Sequence, residues 1–387
     1  MKLYNNQLAL FALVKAGLWG DQRSVREFNV QDFKDVDWEK IYQLAQEQSV
    51  QGIVLAGIEK TNANRSNNTN RPPQELLLQW IGEVQMIEQQ NKAMNKFVAS
   101  LIEKLRRENV YTLLVKGQGI AQCYEKPLWR CSGDVDLLLS DSNYEKASSV
   151  LDRLTGSSEQ QTAKNAERKH REYQIVGWTV ELHGTMRAGL SRRIDREIDK
   201  VQRDMFCGGN VRSVEFKSSN SSSVQVFLPA PDEDVIFVFT HILQHLFLEG
   251  IGLRQICDWC RLLWTFRSDL DLRVLESLIR QMGLMTEWKV LYNLANRYLG
   301  MSDFGEGLMV HDSRFDKKAD RLMMFIIEVG NFGHNRDVEW ANPLKRRTSL
   351  IWHRITDTFK LSFVFPLDAP SFLLNYAVDG VRGLMRM

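Results

Sequence analysis

Two aspartates separated by one residue, Asp134 and Asp136 in the run RCSGDVDLLLS (130–140), stand in a segment that otherwise reads as a buried strand. Side chains on a strand alternate between its faces, so both carboxylates point one way and Val135 the other. Neighbouring carboxylates repel and cost folding energy unless a cation sits between them. A third acid in similar surroundings, Glu181 in WTVELHG, lies between Val180 and Leu182. Three hard oxygen donors on one face suit Mg²⁺, with Mn²⁺ as the alternative, because such an ion keeps several waters and shares the rest of its shell with phosphates. Two such ions roughly 3.5–4 Å apart can clamp the attacking and leaving oxygens of a phosphoryl transfer. Taken alone, Asp-x-Asp is a common tripeptide, and two solvated acids on an edge strand with Glu181 as a surface acid is the plainer reading.

The upstream run LLVKGQGIAQ changes the balance, because Lys116 and Gly117 directly follow an apolar strand. A glycine there lets the backbone approach a phosphate, and a following helix start offers free amides and a favourable dipole. The order of strand, glycine turn, helix, Asp-x-Asp strand and later acidic strand resembles the nucleotidyltransferase superfamily that includes polymerase β. More closely, the chain resembles the nucleotidyltransferase-5 family, a group of uncharacterised bacterial proteins. The resemblance runs through VKGQGIAQCYEKPLWRCSGDVDLLLSDSNYEKA and VELH, continues weakly into HILQHLFLEGIGLRQICDWCRLL, and covers most of residues 30 to 265.

That resemblance implies an α+β core with a small mixed β-sheet. It implies Asp134, Asp136 and Glu181 as catalytic and metal-binding residues, and a nucleoside triphosphate such as ATP as donor. The implied reaction moves a nucleoside monophosphate onto an unidentified acceptor (a small molecule, a protein or an RNA end) with release of pyrophosphate. Substrate-binding residues on this reading are Lys116, Gly117, Arg130, Ser132, Gly133 and His183. The chain departs from the superfamily where Gly117 is followed by Gln118 rather than Gly or Ser, and seventeen positions separate Gly117 from Asp134. Lys116, Ser132 or Arg130 would then replace the missing hydroxyl. The alternative is a nucleotide sensor or helical scaffold without turnover, and Gln118 is the feature that keeps it open.

Weaker signals have two readings each. Arg130 either grips a phosphate with its planar fork or pairs with an acid. His183 faces the same side as Glu181, and either orients it or is a hydrogen-bonded core histidine. The basic cluster KNAERKHREY (164–173) is better read as a solvated connection than as a contact to triphosphate or RNA. His241 and His245, followed by Cys257 and Cys260, have superficial zinc spacing, but all lie in apolar helical stretches. Helical packing, with His245, Arg254 and Asp258 edging the cleft as in the resembling family, is the preferred account.

The elements that must position these residues follow from composition and period. The 387 residues are 44% hydrophobic and 25% charged, and 50 basic residues against 48 acidic leave a net charge of +2. That balance disfavours a long nucleic acid while leaving room for a local basic face. Five scattered cysteines make no disulfide framework, so a reducing cytoplasm is expected. MKLYNNQLALFALVKAGLWGD reads as an amphipathic helix rather than a signal peptide. The best C-terminal span candidate, SLIWHRITDTFKLSFVFP, is broken by His353, Arg354, Asp357 and Lys360, so no membrane span is expected.

Three regions emerge: helical over 1–109, α+β over 110–230 and helical over 231–387. In the first, VDWEKIYQLAQEQSVQGIVLAGIEK has one helix face through Trp38, Ile41, Leu44 and Ala45. Residues 61–73 read as an exposed loop, and Pro72 and Pro73 open a long helix ending near Asn109. In the second, VYTLLVKG, DVDLLLS, EYQIV and WTVELHGTM read as strands and SNYEKASSVLDRL as a helix. RSVEF and VQVFLP add a hairpin, and together these make a mixed sheet with a few helices. In the third, Asp232 is a plausible N-cap for the helix DVIFVFTHILQHLFLEG.

Overall fold

The structure, a computed structural model, describes residues 5–19, 36–63, 71–156, 169–208, 210–333, 335 and 343–374. Four helices open the chain: α1 (Asn5–Trp19), α2 (Trp38–Glu47), α3 (Gln51–Ala63) and α4 (Gln74–Arg107). Strand β1 (Leu113–Val115), helix α5 (Gly117–Ala121), strand β2 (Asp134–Leu138) and helix α6 (Asp141–Thr155) follow. Strands β3 (His170–Ile175) and β4 (Trp178–His183) precede helix α7 (Arg192–Gly208) and the hairpin β5 (Val211–Lys217) and β6 (Ser223–Pro229). The remainder is helical: α8 (Pro231–Leu248), α9 (Leu253–Thr265), α10 (Leu272–Met282), α11 (Met285–Leu299), α12 (Asp316–Val329) and α13 (Pro343–Ser362). The class is α+β, as the sequence implies. No helix among the described residues is long and apolar enough to cross a membrane.

The main sheet has the order β1-β2-β4-β3, with β2 and β4 parallel and both outer pairings antiparallel. The pleat sorts the side chains. Leu114, Val135, Leu137, Val180 and Leu182 point to one face, where Met94, Val98, Ile102 and Leu105 of α4 close a core with Tyr144 and Leu151 of α6. Asp134, Asp136, Glu181 and His183 are thereby placed on the opposite face. The hairpin β5–β6 forms a two-stranded sheet of its own rather than joining the mixed sheet. Its inward residues Phe216, Val226 and Leu228 still complete the α4 core.

Several other expectations are corrected. The 38–60 segment is two helices, because the chain turns at Gln48–Val50 with Ser49 at φ 55°. Helix α3 runs to Ala63, into the expected loop, whose residues 64–70 lie outside the described ones. Pro73 does stand directly before α4. Asp232 is not an N-cap; Ala230 holds that position with Pro231 at the helix start, and the Asp232 carboxylate accepts from the Asp271 amide instead.

Helix α1 is not amphipathic: Ala9, Leu10, Phe11, Ala12, Leu13, Val14, Ala16 and Leu18 are all buried. It lies against α3 with backbones in close approach, since a Cβ on Gly57 would stand 2.0 Å from the Leu13 carbonyl oxygen and one on Gly17 1.8 Å from that of Ile53. Gly57→Ala should therefore force the two helices apart and cost about 1–3 kcal/mol, the range for overpacking a close-packed interior. An unfolding free energy from urea titration lowered by that amount is expected, and an unchanged midpoint would contradict this packing.

Candidate active site

Strand β1 ends because Lys116 and Gly117 both take positive φ, 55° and 35°. A Cβ on Gly117 would already touch the Asp134 carbonyl oxygen at 3.4 Å, so the turn lies directly on the aspartate strand. Register does the rest: Val115 pairs with Asp136 across β1–β2, and Asp136 with Glu181 across β2–β4. Ligand atoms of Asp134, Asp136 and Glu181 lie within 4.8 Å of one another. This all-oxygen set fits a hard divalent ion of the Mg²⁺ type.

Two protein cations already meet these acids. Lys116 Nζ is 2.6 Å from Asp136 Oδ1, and His183 Nε2 is 2.8 Å from the same oxygen and 3.2 Å from Glu181 Oε2. Burial alone would raise the pKa of Asp136, yet Lys116 and His183 hold it below the ordinary value. Glu181 is likewise held well below the carboxylate range, its burial outweighed by hydrogen bonds from His170 and His183. Asp134 goes the other way, raised first by repulsion from Asp136 and then by burial. Lys116 and His183 are largely but not wholly covered, which disfavours their charge, but the facing carboxylates raise both above their usual values.

A further residue reaches the site from α8. His241 Nε2 is 3.2 Å from Lys116 Nζ and 2.9 Å from His245 Nε2. Burial, then the charges of Lys116 and His245, push its pKa well below 6.5. A neutral His241 accepts from the ammonium and fixes the Lys116 head against Asp136. The sequence signal for it was present, a histidine pair in an apolar helix, but spacing alone pointed to zinc. Cys257 and Cys260 instead sit fully buried in the core, and among the described residues they join no group able to hold a metal.

Arg130 is buried, with its fork closed on Asp258: Nε donates to Oδ1 and Nη2 to Oδ2, each at 2.7 Å. Tyr124 donates to the same carboxylate at 2.7 Å, and Arg130 Nη1 donates to Ser132 Oγ at 2.9 Å. Asp258 outweighs burial and raises the Arg130 pKa further. The guanidinium thus holds the Ser132–Gly133 segment that leads into Asp134. Asp258, which the sequence placed only at the cleft edge, is its anchor from α9. Arg130→Lys keeps the charge but cannot reproduce the fork, and leaving buried partners unsatisfied should cost about 1–3 kcal/mol. Equal urea midpoints for the two proteins would contradict this role.

Gln118, at the position where the superfamily has Gly or Ser, is also structural. Its amide donates to Asn91 Oδ1 at 3.0 Å, and Asn91 Nδ2 donates to the carbonyls of Leu128 and Arg130, each at 2.8 Å. The basic cluster at 164–173 divides: 164–168 lie outside the described residues, while His170 is not in a solvated connection but opens β3 and meets Glu181 at 3.2 Å.

The family model described as uncharacterised nucleotidyltransferase matches residues 34–300, which include every residue of this site. Comparison with curated proteins and with solved structures finds no match.

Proposed function

Taking as premise that this chain belongs to the uncharacterised nucleotidyltransferase family, we propose that it transfers a nucleoside monophosphate from a triphosphate such as ATP to a hydroxyl acceptor, releasing pyrophosphate. The observation that carries this reading is the convergence of three carboxylates on one sheet face beside a buried lysine. Asp134, Asp136 and Glu181 would hold Mg²⁺ or Mn²⁺. Such ions, when bound, neutralise phosphate charge and lower the pKa of an acceptor hydroxyl.

The chain's own residues do the rest. The turn at Gly117 lets the backbone approach the triphosphate. Lys116, freed from Asp136, places its ammonium against the charge developing on the phosphate oxygens. His241 limits where that ammonium can go, and His183 keeps Asp136 and Glu181 oriented. Arg130 holds the Cys131 carbonyl and the Ser132 hydroxyl, and so positions the Ser132–Gly133 segment, whose hydroxyl and amide face the phosphates in this reading. The acceptor oxygen forms a bond to the α-phosphorus as the bond to pyrophosphate breaks. Its proton passes to one of the site carboxylates. A cytoplasmic setting belongs to the same proposal and is supported by five free cysteines.

The acceptor is a small molecule, a protein side chain or an RNA end. Incubation with α-³²P- and γ-³²P-labelled triphosphates and a metabolite extract tests the reaction class. Label moving to product from the α position alone, with equimolar pyrophosphate, is expected. Transfer from the γ position would make the protein a kinase, and Mg²⁺-dependent nucleotide binding without pyrophosphate would make it a sensor.

A further inference from the structure

Glu181 serves two clusters. Toward β2 it meets Asp134 and Asp136, and toward the sheet edge it meets His170 and His183. His170 and His183 pair directly across β3–β4, with ring centroids 4.9 Å apart. Nε2 of each imidazole lies 3.2 Å from the same Glu181 oxygen, Oε2. His170 keeps 33% of its side chain exposed against 13% for His183, so an ion and its remaining water ligands have access from solvent on the His170 side.

Two imidazole nitrogens and one carboxylate oxygen are a different donor set from the three carboxylates beside them. Hard ions prefer the oxygens, whereas nitrogen donors favour first-row transition ions in the order Mn²⁺ below Co²⁺, with Zn²⁺ also well suited. Three protein ligands with open positions is the pattern of a site that keeps water or takes a substrate atom. We propose that His170, His183 and Glu181 form a second cation site, selective for a transition ion such as Zn²⁺ over Mg²⁺. Ligation would take His183 Nε2 away from Asp136, to which it now stands at 2.8 Å. The two cation sites are therefore coupled through Glu181 and Asp136, while His170 belongs to the nitrogen site alone.

The test uses Co²⁺ alone, without nucleotide, titrated into the full chain and followed by its visible absorption. One Co²⁺ per chain is expected in the wild type. Binding should weaken at least tenfold in His170→Ala and in His170→Gln, and stay within twofold of wild type in Asp134→Asn. Melting of each metal-free variant identifies any that fails to fold, and the glutamine variant keeps a polar group on the strand. Mn²⁺ bound to the wild type should show imidazole ¹⁴N couplings in pulsed electron paramagnetic resonance. The proposal is overturned if the wild type binds no Co²⁺, if folded His170 variants bind it as well as wild type, or if Asp134→Asn loses it equally. Nucleotide-dependent stabilisation measured on the same variants reports separately on the carboxylate site, so either site can fail without the other.

Discussion

Asp134→Asn and Asp136→Asn should move the stability of the metal-free protein in opposite directions, although both should abolish metal-dependent nucleotide binding. Asp136 is buried between Lys116 and His183. Its loss leaves Lys116 and His183 facing an uncharged amide, and breaking an ion pair around a buried carboxylate in this way costs about 3–5 kcal/mol. Asp134 is the repelled member of the pair, so its neutralisation relieves strain that the fold carries for the sake of the site. The pH dependence separates the two effects. Asp136, depressed in the folded state, contributes stability above its unfolded pKa that disappears as pH falls through the folded value. Asp134, raised in the folded state, is unfavourable once ionised, so the gain from Asp134→Asn is present at neutral pH and vanishes in acid. Urea unfolding of the three proteins at pH 7 and at acid pH reads both signs. A loss of stability in Asp134→Asn at pH 7 would contradict the charge balance described for the site.

The second large effect lies far from the sheet. Glu287 on α11 is fully buried, and neither carboxyl oxygen has a hydrogen-bond partner of ordinary geometry. Burial first, and then the facing carboxyl of Asp368, raise its pKa from 4.5 to about 8, with Lys318 opposing weakly. Asp368 lies on the C-terminal segment whose Phe365 and Phe372 pack on Phe247. With its folded pKa above its unfolded one, Glu287 contributes fully below pH 4.5. The contribution is lost as pH rises toward 8, because only the unfolded state gives up the proton in that window. The expected slope is about 1.4 kcal/mol of lost stability per pH unit. Glu287→Gln removes the ionisation and should flatten this slope and stabilise the protein at pH 8. Urea midpoints at pH 5, 6.5 and 8 decide it, and a wild-type stability that stays level or rises across that range would contradict a protonated buried Glu287.

The site was more legible in the sequence than the frame around it. Period-two alternation places Asp134, Asp136, Glu181 and His183 on one face of their strands, and the structure keeps them there. What alternation cannot supply is which strands become neighbours. Glu181 meets Asp136 because β4 pairs in parallel with β2 while β3, earlier in the chain, goes to the edge. The partners that brace the site are equally non-local: His241 lies 125 residues from Lys116, and Asp258 lies 128 residues from Arg130. His170 was hidden for another reason, since its basic neighbours Lys169 and Arg171 made the strand start look like solvated chain. Gln118 reads in the sequence as a missing phosphate-binding hydroxyl; its meaning as a strut to Asn91 depends on a contact from α4 that no local pattern encodes. The helical break at Ser49 likewise depends on tertiary packing rather than on a Gly or Pro in the segment QEQSV.

The central claim is that the three carboxylates and Lys116 hold a metal-bound triphosphate. Its most direct measurement is thermal unfolding of the wild type and of Asp134→Ala/Asp136→Ala with each of the four nucleoside triphosphates, with and without Mg²⁺. A ligand at about 100 times its Kd stabilises a folded protein by about 2.7 kcal/mol. A shift of that order is expected for the wild type with at least one nucleotide, only when Mg²⁺ is present, and not for the double variant. No shift with any triphosphate, or an equal shift in the double variant, would contradict the site.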